Sequence, residues 1–193
     1  MSSGSDAPVI AFETAGEWQH WLEEHQSEQA GVWLKLARAG TGLASVSRGD
    51  ALDVALCYGW IDGQARSLDE HYWLQRFTPR RPRSKWSQVN TRKVEELIAA
   101  GRMQPSGLRE IDRAKADGRW DAAYAPPSTA TVPDDLQAAL DANDEARAFF
   151  TTLDSRNRYA ILHRIHDAKR PETRAKRIDD FVTMLADGRK IHP

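Results

Sequence analysis

The sequence predicts an α+β fold: N-terminal helices packed on a small antiparallel sheet, followed by a small all-α C-terminal region. Three observations carry this expectation. β-forming, aromatic-rich segments occur only in the first half of the chain, between helical stretches. All seven tryptophans, at 18, 21, 33, 60, 73, 86 and 120, precede the Pro-rich stretch 125–133. After that stretch every apolar pattern has helical spacing.

Taken in order, residues 1–12 read as a disordered leader and 13–124 as an aromatic-rich α+β domain. Trp18, Trp21 and Leu22 recur at helical spacing and predict a helix over 13–26. Residues 31–37 alternate as a strand, and Gly40-Thr-Gly42 turns the chain. Ser47, with Asp50 in the first turn, starts a helix that Gly59 ends. Residues 60–66 and 71–78, separated by the turn chemistry of 67–70, form a hairpin that the 31–37 strand joins. Pro79-Arg-Arg-Pro82 interrupts regular structure. A helix then starts at Ser84–Ser87 and stops at Gly101, and another covers 106–115. Residues 125–133 are the linker. Four helices fill 134–193, the last opening at Pro171 with Ile178, Phe181, Val182 and Leu185 on one face.

Composition bounds the function. The chain has 193 residues, 40% hydrophobic and 28% charged, and a net charge of −1. No apolar run approaches the ~20 residues that cross a bilayer, and the first residues lack the basic and apolar regions of a secretory signal. A cytoplasmic protein without membrane insertion is expected. One cysteine, Cys57, excludes an internal disulfide and a Cys-rich zinc site, and its apolar helix marks it as an inert thiol. His163 and His166, beside Asp167, lack further ligands, and His20 and His25 have no useful spacing, so no metal is expected. Walker, dinucleotide-fingerprint, nucleophile-elbow and zincin patterns are absent, and no cofactor is expected.

The neutral total hides two basic runs. Residues 71–94 carry seven Lys or Arg and no acid; residues 156–177 carry eight against Asp167 and Glu172. Local positive regions on a neutral chain suit a small anion better than a long polyanion, so nucleic acid is disfavoured as a partner and a protein partner is left open.

Residues 51–63 (ALDVALCYGWIDG) and 77–90 (FTPRRPRSKWSQVN) resemble the YdeI/OmpD-associated family, whose members carry the label bacteriocin protection. Further likeness lies in Gly101-Arg-Met, in 114–120 and in 168–178, and the resemblance spans about 13–193. It implies bacterial origin, an OmpD-associated-type helical region over 134–193, and a link to envelope stress or peptide-antimicrobial tolerance. It carries over no reaction, cofactor or catalytic residue.

The residues themselves must supply the site. Arg80 and Arg81 lie between two prolines, which restrict the backbone and lower the entropy cost of clamping a ligand. Guanidinium forks bind carboxylate or phosphate, and a helix N-terminus at Ser84, Trp86 and Ser87 favours the same charge. Asn90 lies one turn on, and Trp86 offers a wall for stacking. In Trp60-Ile-Asp62-Gly63, Asp62 is a candidate acid/base or a carboxylate that accepts ligand donors. The expected ligand-binding set is Trp60, Asp62, Arg76, Arg80, Arg81, Ser84, Trp86, Ser87 and Asn90. The competing expectation is structural: the arginines pair with Asp62, Asp69 or Glu70, and Trp86 fills the core.

Three functions follow. The first is a non-catalytic protein that captures a small anionic or zwitterionic ligand in stress or antimicrobial tolerance. The second is an enzyme acting on such a molecule through Asp62. The third is a nucleic-acid or protein interaction module that uses the basic segments.

Overall fold

The computed structural model describes residues 7–28 and 30–193. They fall into two compact units, one ending at Ala123 and one running from Tyr124 to Pro193.

In the first unit the chain order is β1 (Val9–Ile10), α1 (Ala15–His25), β2 (Val32–Ala37), α2 (Arg48–Cys57), β3 (Trp60–Ser67), β4 (Tyr72–Pro79), α3 (Gln88–Ala99) and α4 (Pro105–Ala116). The strands form one sheet in the order β1-β2-β4-β3. β2 and β3 flank β4 antiparallel, with Val32 opposite Phe77 and Trp60 opposite Pro79. β1 runs parallel to β2, beside the three antiparallel strands that the sequence predicts, and corrects the expectation of a leader through residue 12. The β-branched Val9 and the neighbouring Ile10 dock on the edge of β2, where Trp33 N–H donates to Pro8 O (2.8 Å). Ala7 is buried with Trp33 and Leu74. The rest of the expected leader, residues 1–6, lies outside the described residues.

Local chemistry sets the helix starts. Thr14 and Glu17 close a capping box on α1. Ser47 accepts from Asp50 N–H at the start of α2, and Ser87 from Asn90 N–H at the start of α3. Gly59 (φ 78°) turns the chain from α2 into β3. The ladder between β3 and β4 slips between Asp62 and Ala65. Buried Gln75 fills the bulge, its amide donating to Gly63 O (2.9 Å) and Gln64 O (3.2 Å).

One face of the sheet meets the helices. Trp18 and Leu22 of α1, six residues of α2, and Val94 and Leu97 of α3 bury against Val32, Leu34, Leu36, Trp60 and Phe77. Trp18 sits centrally, with Phe12, Trp21, Trp60 and Phe77 rings 5.3–6.3 Å away. The opposite face carries Trp33, Lys35, Tyr72, Leu74 and Arg76 by strand alternation.

Beside this core Tyr58 donates its phenolic proton to Glu23 (2.9 Å). Burial, then that carboxylate, push the phenol up to about 12. In the unfolded chain the group loses its proton near 10. Its stabilisation is therefore complete below pH 10 and declines as pH rises from 10 towards 12. Alkaline unfolding of Tyr58→Phe is expected to be less steep over that interval than that of the parent; equal slopes would refute the assignment.

The second unit holds α5 (Asp134–Asp141), α6 (Asp144–Thr152), α7 (Ser155–His166) and α8 (Pro171–Ala186). Leu136, Leu140, Phe150, Ile161, Ile165, Ile178 and Leu185 form its core. Asn143 and Asp154 cap α6 and α7, and Pro171 opens α8. Residues 125–133 hold no helix or strand, yet Ala130 and Val132 pack on this core and Tyr159 donates to Ala125 O (3.0 Å). Buried Asn157 clasps the tail, accepting from His192 N–H (2.8 Å) and donating to His192 O (3.2 Å).

Several cations of this unit's basic run are engaged internally. Arg174 pairs with Asp135 (2.5 Å) and donates to Ile165 O. Arg177 donates to Arg164 O, Arg158 lies over the Phe150 ring, and Lys176 pairs with Asp180 (2.7 Å). Among the described residues no helix is long and apolar enough to cross a membrane. Nor, among them, do three or more His, Cys, Asp or Glu gather where a metal ion could be held.

Candidate functional site

The site grows from the end of β4. Arg80 N–H donates to Gly59 O (2.9 Å), which fixes the backbone where the hairpin meets the end of α2. The Arg80 side chain turns inward and is buried. Its guanidinium lies 3.5 Å from the Trp86 ring centroid and donates to Lys85 O (3.0 Å). Arg81 takes a different course. Its side chain is exposed, and its backbone closes a turn with Ser84: Arg81 N–H donates to Ser84 Oγ and Ser84 N–H to Arg81 O, both 2.9 Å. The expected pair of guanidinium groups is thus split, and one of them stacks on Trp86.

Trp86 is 2% exposed, and its indole N–H is buried without an acceptor. Its ring meets Trp120 (5.0 Å between centroids, 56° between planes). Trp120 belongs to a turn after α4, where Gly118 (φ 76°) reverses the chain. Arg119 in that turn pairs with Asp117 (2.8 Å) and donates to Ser84 O (2.9 Å). Burial pushes the Asp117 carboxyl up, but hydrogen bonds and charge from Arg119 outweigh it and hold the group below its ordinary value. A third nitrogen of Arg119, Nη2, is buried and has no acceptor. Lys115 Nζ stands 5.2 Å from the Trp120 ring.

Arg80, Ser84, Trp86 and Ser87 are therefore gathered in one place, joined by Arg119 and Trp120, which the sequence reading did not single out. Their signal was an Arg-Trp pair in a glycine turn, the same guanidinium-plus-indole chemistry as the Arg80 region. Ser87 is a helix cap, and its hydroxyl accepts from Asn90 N–H (3.2 Å). Trp60 stands apart as core, with its N–H given to Gln26 O (3.2 Å). Asp62 is ion-paired with Arg48 (2.8 Å), and Asp69 accepts from His71 and Tyr72 N–H. Arg76 lies on the outer sheet face, 5.5 Å from the Trp33 ring, and donates to Ala30 O. Cys57 is buried, and burial pushes its thiol up, away from nucleophilic chemistry.

Chemically, the Trp86–Arg119 cluster offers donors and ring faces. Two buried N–H groups call for an acceptor, such as a carboxylate, phosphate or carbonyl oxygen, and the paired indoles suit a planar group beside it.

Residues 129–188 match the family described as Bacteriocin-protection, YdeI or OmpD-Associated, which takes in the 168–178 stretch of the sequence resemblance. The 51–63 and 77–90 stretches fall within a second match, over residues 10–110, to a domain of unknown function. Comparison with curated proteins and with solved structures gives no match. With more than half of its length matched, the chain belongs to the family described as Domain of unknown function (DUF8412), and its second unit carries the YdeI or OmpD-associated segment.

Proposed function

We propose that this chain is a non-catalytic, cytoplasmic binding protein that captures a small anionic or zwitterionic molecule at the Arg80–Trp86–Arg119 cluster. One observation carries the reading: Trp86 Nε1 and Arg119 Nη2 are buried donors without acceptors. An unmade buried hydrogen bond costs about 1–3 kcal/mol, a deficit that a bound acceptor removes. The bacteriocin-protection description of the second segment supports a role in tolerance of a peptide antimicrobial or a stress metabolite. Asp62, held by Arg48, serves the fold in this reading and not acid–base chemistry.

Thermal unfolding of the full chain with citrate, benzoate, glutamate and peptide antibiotics tests it. A ligand at a hundred times its Kd adds about 2.7 kcal/mol. At least one compound is expected to raise Tm in a dose-dependent way, and Trp86→Phe and Arg119→Ala are expected to abolish that rise while the unliganded proteins stay folded. No response to any of them, or an equal response in both variants, would overturn the assignment.

A further inference from the structure

Among the described residues, Ser106 Oγ and Glu110 Oε2 are the two side-chain oxygens buried without a hydrogen-bond partner. They are neighbours. Both stand on α4 at i and i+4, with Cβ atoms about 6 Å apart, so one small donor can reach both. Glu110 is engaged at its other oxygen alone, where Arg113 donates to Oε1 (2.7 Å). The Glu110 side chain is 15% exposed and Arg113 half exposed, so this pair leaves one carboxylate oxygen shielded from water and unmet. A buried carboxylate oxygen calls for a charged or strongly polar donor.

Two paths connect these acceptors to the Arg80–Trp86–Arg119 cluster. The first runs through Gly59. A Cβ there would stand 3.1 Å from both Glu110 Cγ and Ser106 O, so the glycine backbone lies directly against this turn of α4. The Gly59 carbonyl accepts from Arg80 N–H, and the Arg80 side chain goes on to cover Trp86. The second path runs along α4. Ala114 continues the row of 106 and 110, and its carbonyl accepts from Trp120 N–H (3.0 Å), whose ring meets Trp86. Glu110 thus precedes the attachment of the indole pair by one helical turn, about 6 Å along the axis. Buried acceptors lie at one end of this stretch, and the buried donors Trp86 Nε1 and Arg119 Nη2 at the other.

We infer that Ser106 and Glu110 receive the ammonium group of a zwitterionic ligand whose acid end is held by Trp86 and Arg119. This rests on the capture function proposed above and narrows its ligand to one class. The ammonium donates one proton to Glu110 Oε2 and one to Ser106 Oγ, and its charge balances the carboxylate. The ligand's own carboxylate accepts from Trp86 and Arg119, and a planar body between its two ends lies along the indole faces. One molecule with opposite charges about one helical turn apart satisfies all four atoms. An acid without an amine leaves Glu110 Oε2 unmet, which is the basis for discrimination. Glu110 supplies the ligand-facing carboxylate that Asp62, paired with Arg48, does not.

Calorimetric titration of the full chain with para-aminomethylbenzoate, para-toluate and benzylamine tests the inference; the first carries both charges, the second the acid alone and the third the amine alone. The zwitterion is expected to bind at least about tenfold more tightly than para-toluate, and benzylamine more weakly than either. Glu110→Gln should weaken the zwitterion about tenfold and para-toluate less than about twofold, and Ser106→Ala should weaken the zwitterion alone, about threefold. Trp86→Phe should weaken both acids. Tryptophan fluorescence during urea unfolding verifies that each variant is folded. Equal affinity for the two acids, both lost in Trp86→Phe, would overturn the ammonium site and leave anion capture standing. An equal loss of both acids in Glu110→Gln would likewise overturn it, because Glu110 would then act through the fold. Binding of neither acid, or of both unchanged in Trp86→Phe, would overturn the ammonium site and the capture function together.

Discussion

Gly107→Ala is expected to destabilise the first unit by about 3 kcal/mol or more, although alanine is the better helix former. Intrinsic propensity favours the substitution by about 1 kcal/mol inside a helix. Packing reverses the sign. A Cβ at Gly107 would stand 2.2 Å from Cys57 O and 2.8 Å from Cys57 C. Those atoms are backbone at the end of α2 and cannot rotate away. The methyl group fits only if α4 withdraws from α2, which breaks the hydrogen bond from Gln104 N–H to Cys57 O (3.0 Å) and loosens Gly59 against Ser106 and Glu110. Arg80, whose N–H is bound to Gly59 O, moves with them, so ligand stabilisation at the cluster should fall as well. Tryptophan fluorescence in urea isolates the effect, because all seven tryptophans precede Ala123 and report on the first unit alone. Gly49→Ala is the matched control. Its Cβ meets nothing closer than Ser47 Oγ at 3.7 Å, and a gain of about 0.5–1 kcal/mol is expected. A loss below about 1 kcal/mol for Gly107→Ala would show that α2 and α4 are not in backbone contact.

The elements legible in the sequence are those that local chemistry fixes. Ser47 with Asp50 and the turn chemistry of 67–70 each act within a few residues, and the 31–37 strand alternates strongly enough to be read. β1 was not legible, because two residues have no period; its existence depends on the edge of β2, which is more than twenty positions away. The candidate site was legible only in part, for a related reason. Arg80 and Arg81 look equivalent in the chain, yet successive side chains leaving a strand point in opposite directions, and only one can reach Trp86. Arg48 with Asp62, and Arg119 with Ser84, are long-range contacts that no spacing rule announces. The contacts of the second basic run are hidden for a similar reason: Arg174 and Arg177 donate to α7 and α5, positions that become neighbours only when the bundle closes.

Trp18→Ala should cost the first unit about 3–5 kcal/mol, the largest single-residue effect expected for the aromatic core. Trp18 is fully buried, touches four other aromatic rings, and donates its N–H to Ala51 O (3.0 Å), so the substitution removes a ring, a hydrogen bond and the contact between α1 and α2. The more informative comparison is with phenylalanine. Trp18→Phe removes the indole hydrogen bond to Ala51 O together with ring volume, for an expected loss of about 2 kcal/mol. Trp86→Phe removes comparable volume but deletes a donor that has no acceptor, and this offsets part of the packing loss. Its cost without ligand should therefore be at least about 1 kcal/mol smaller than that of Trp18→Phe. The same logic separates the four most deeply buried tryptophans by role. Trp18 and Trp60 give their protons to backbone carbonyls and serve the fold; Trp33 and Trp86 keep theirs and lie under guanidinium groups. Equal losses for Trp18→Phe and Trp86→Phe in urea would mean that the Trp86 proton is already satisfied in the unliganded protein, and the case for an acceptor at the cluster would go with it.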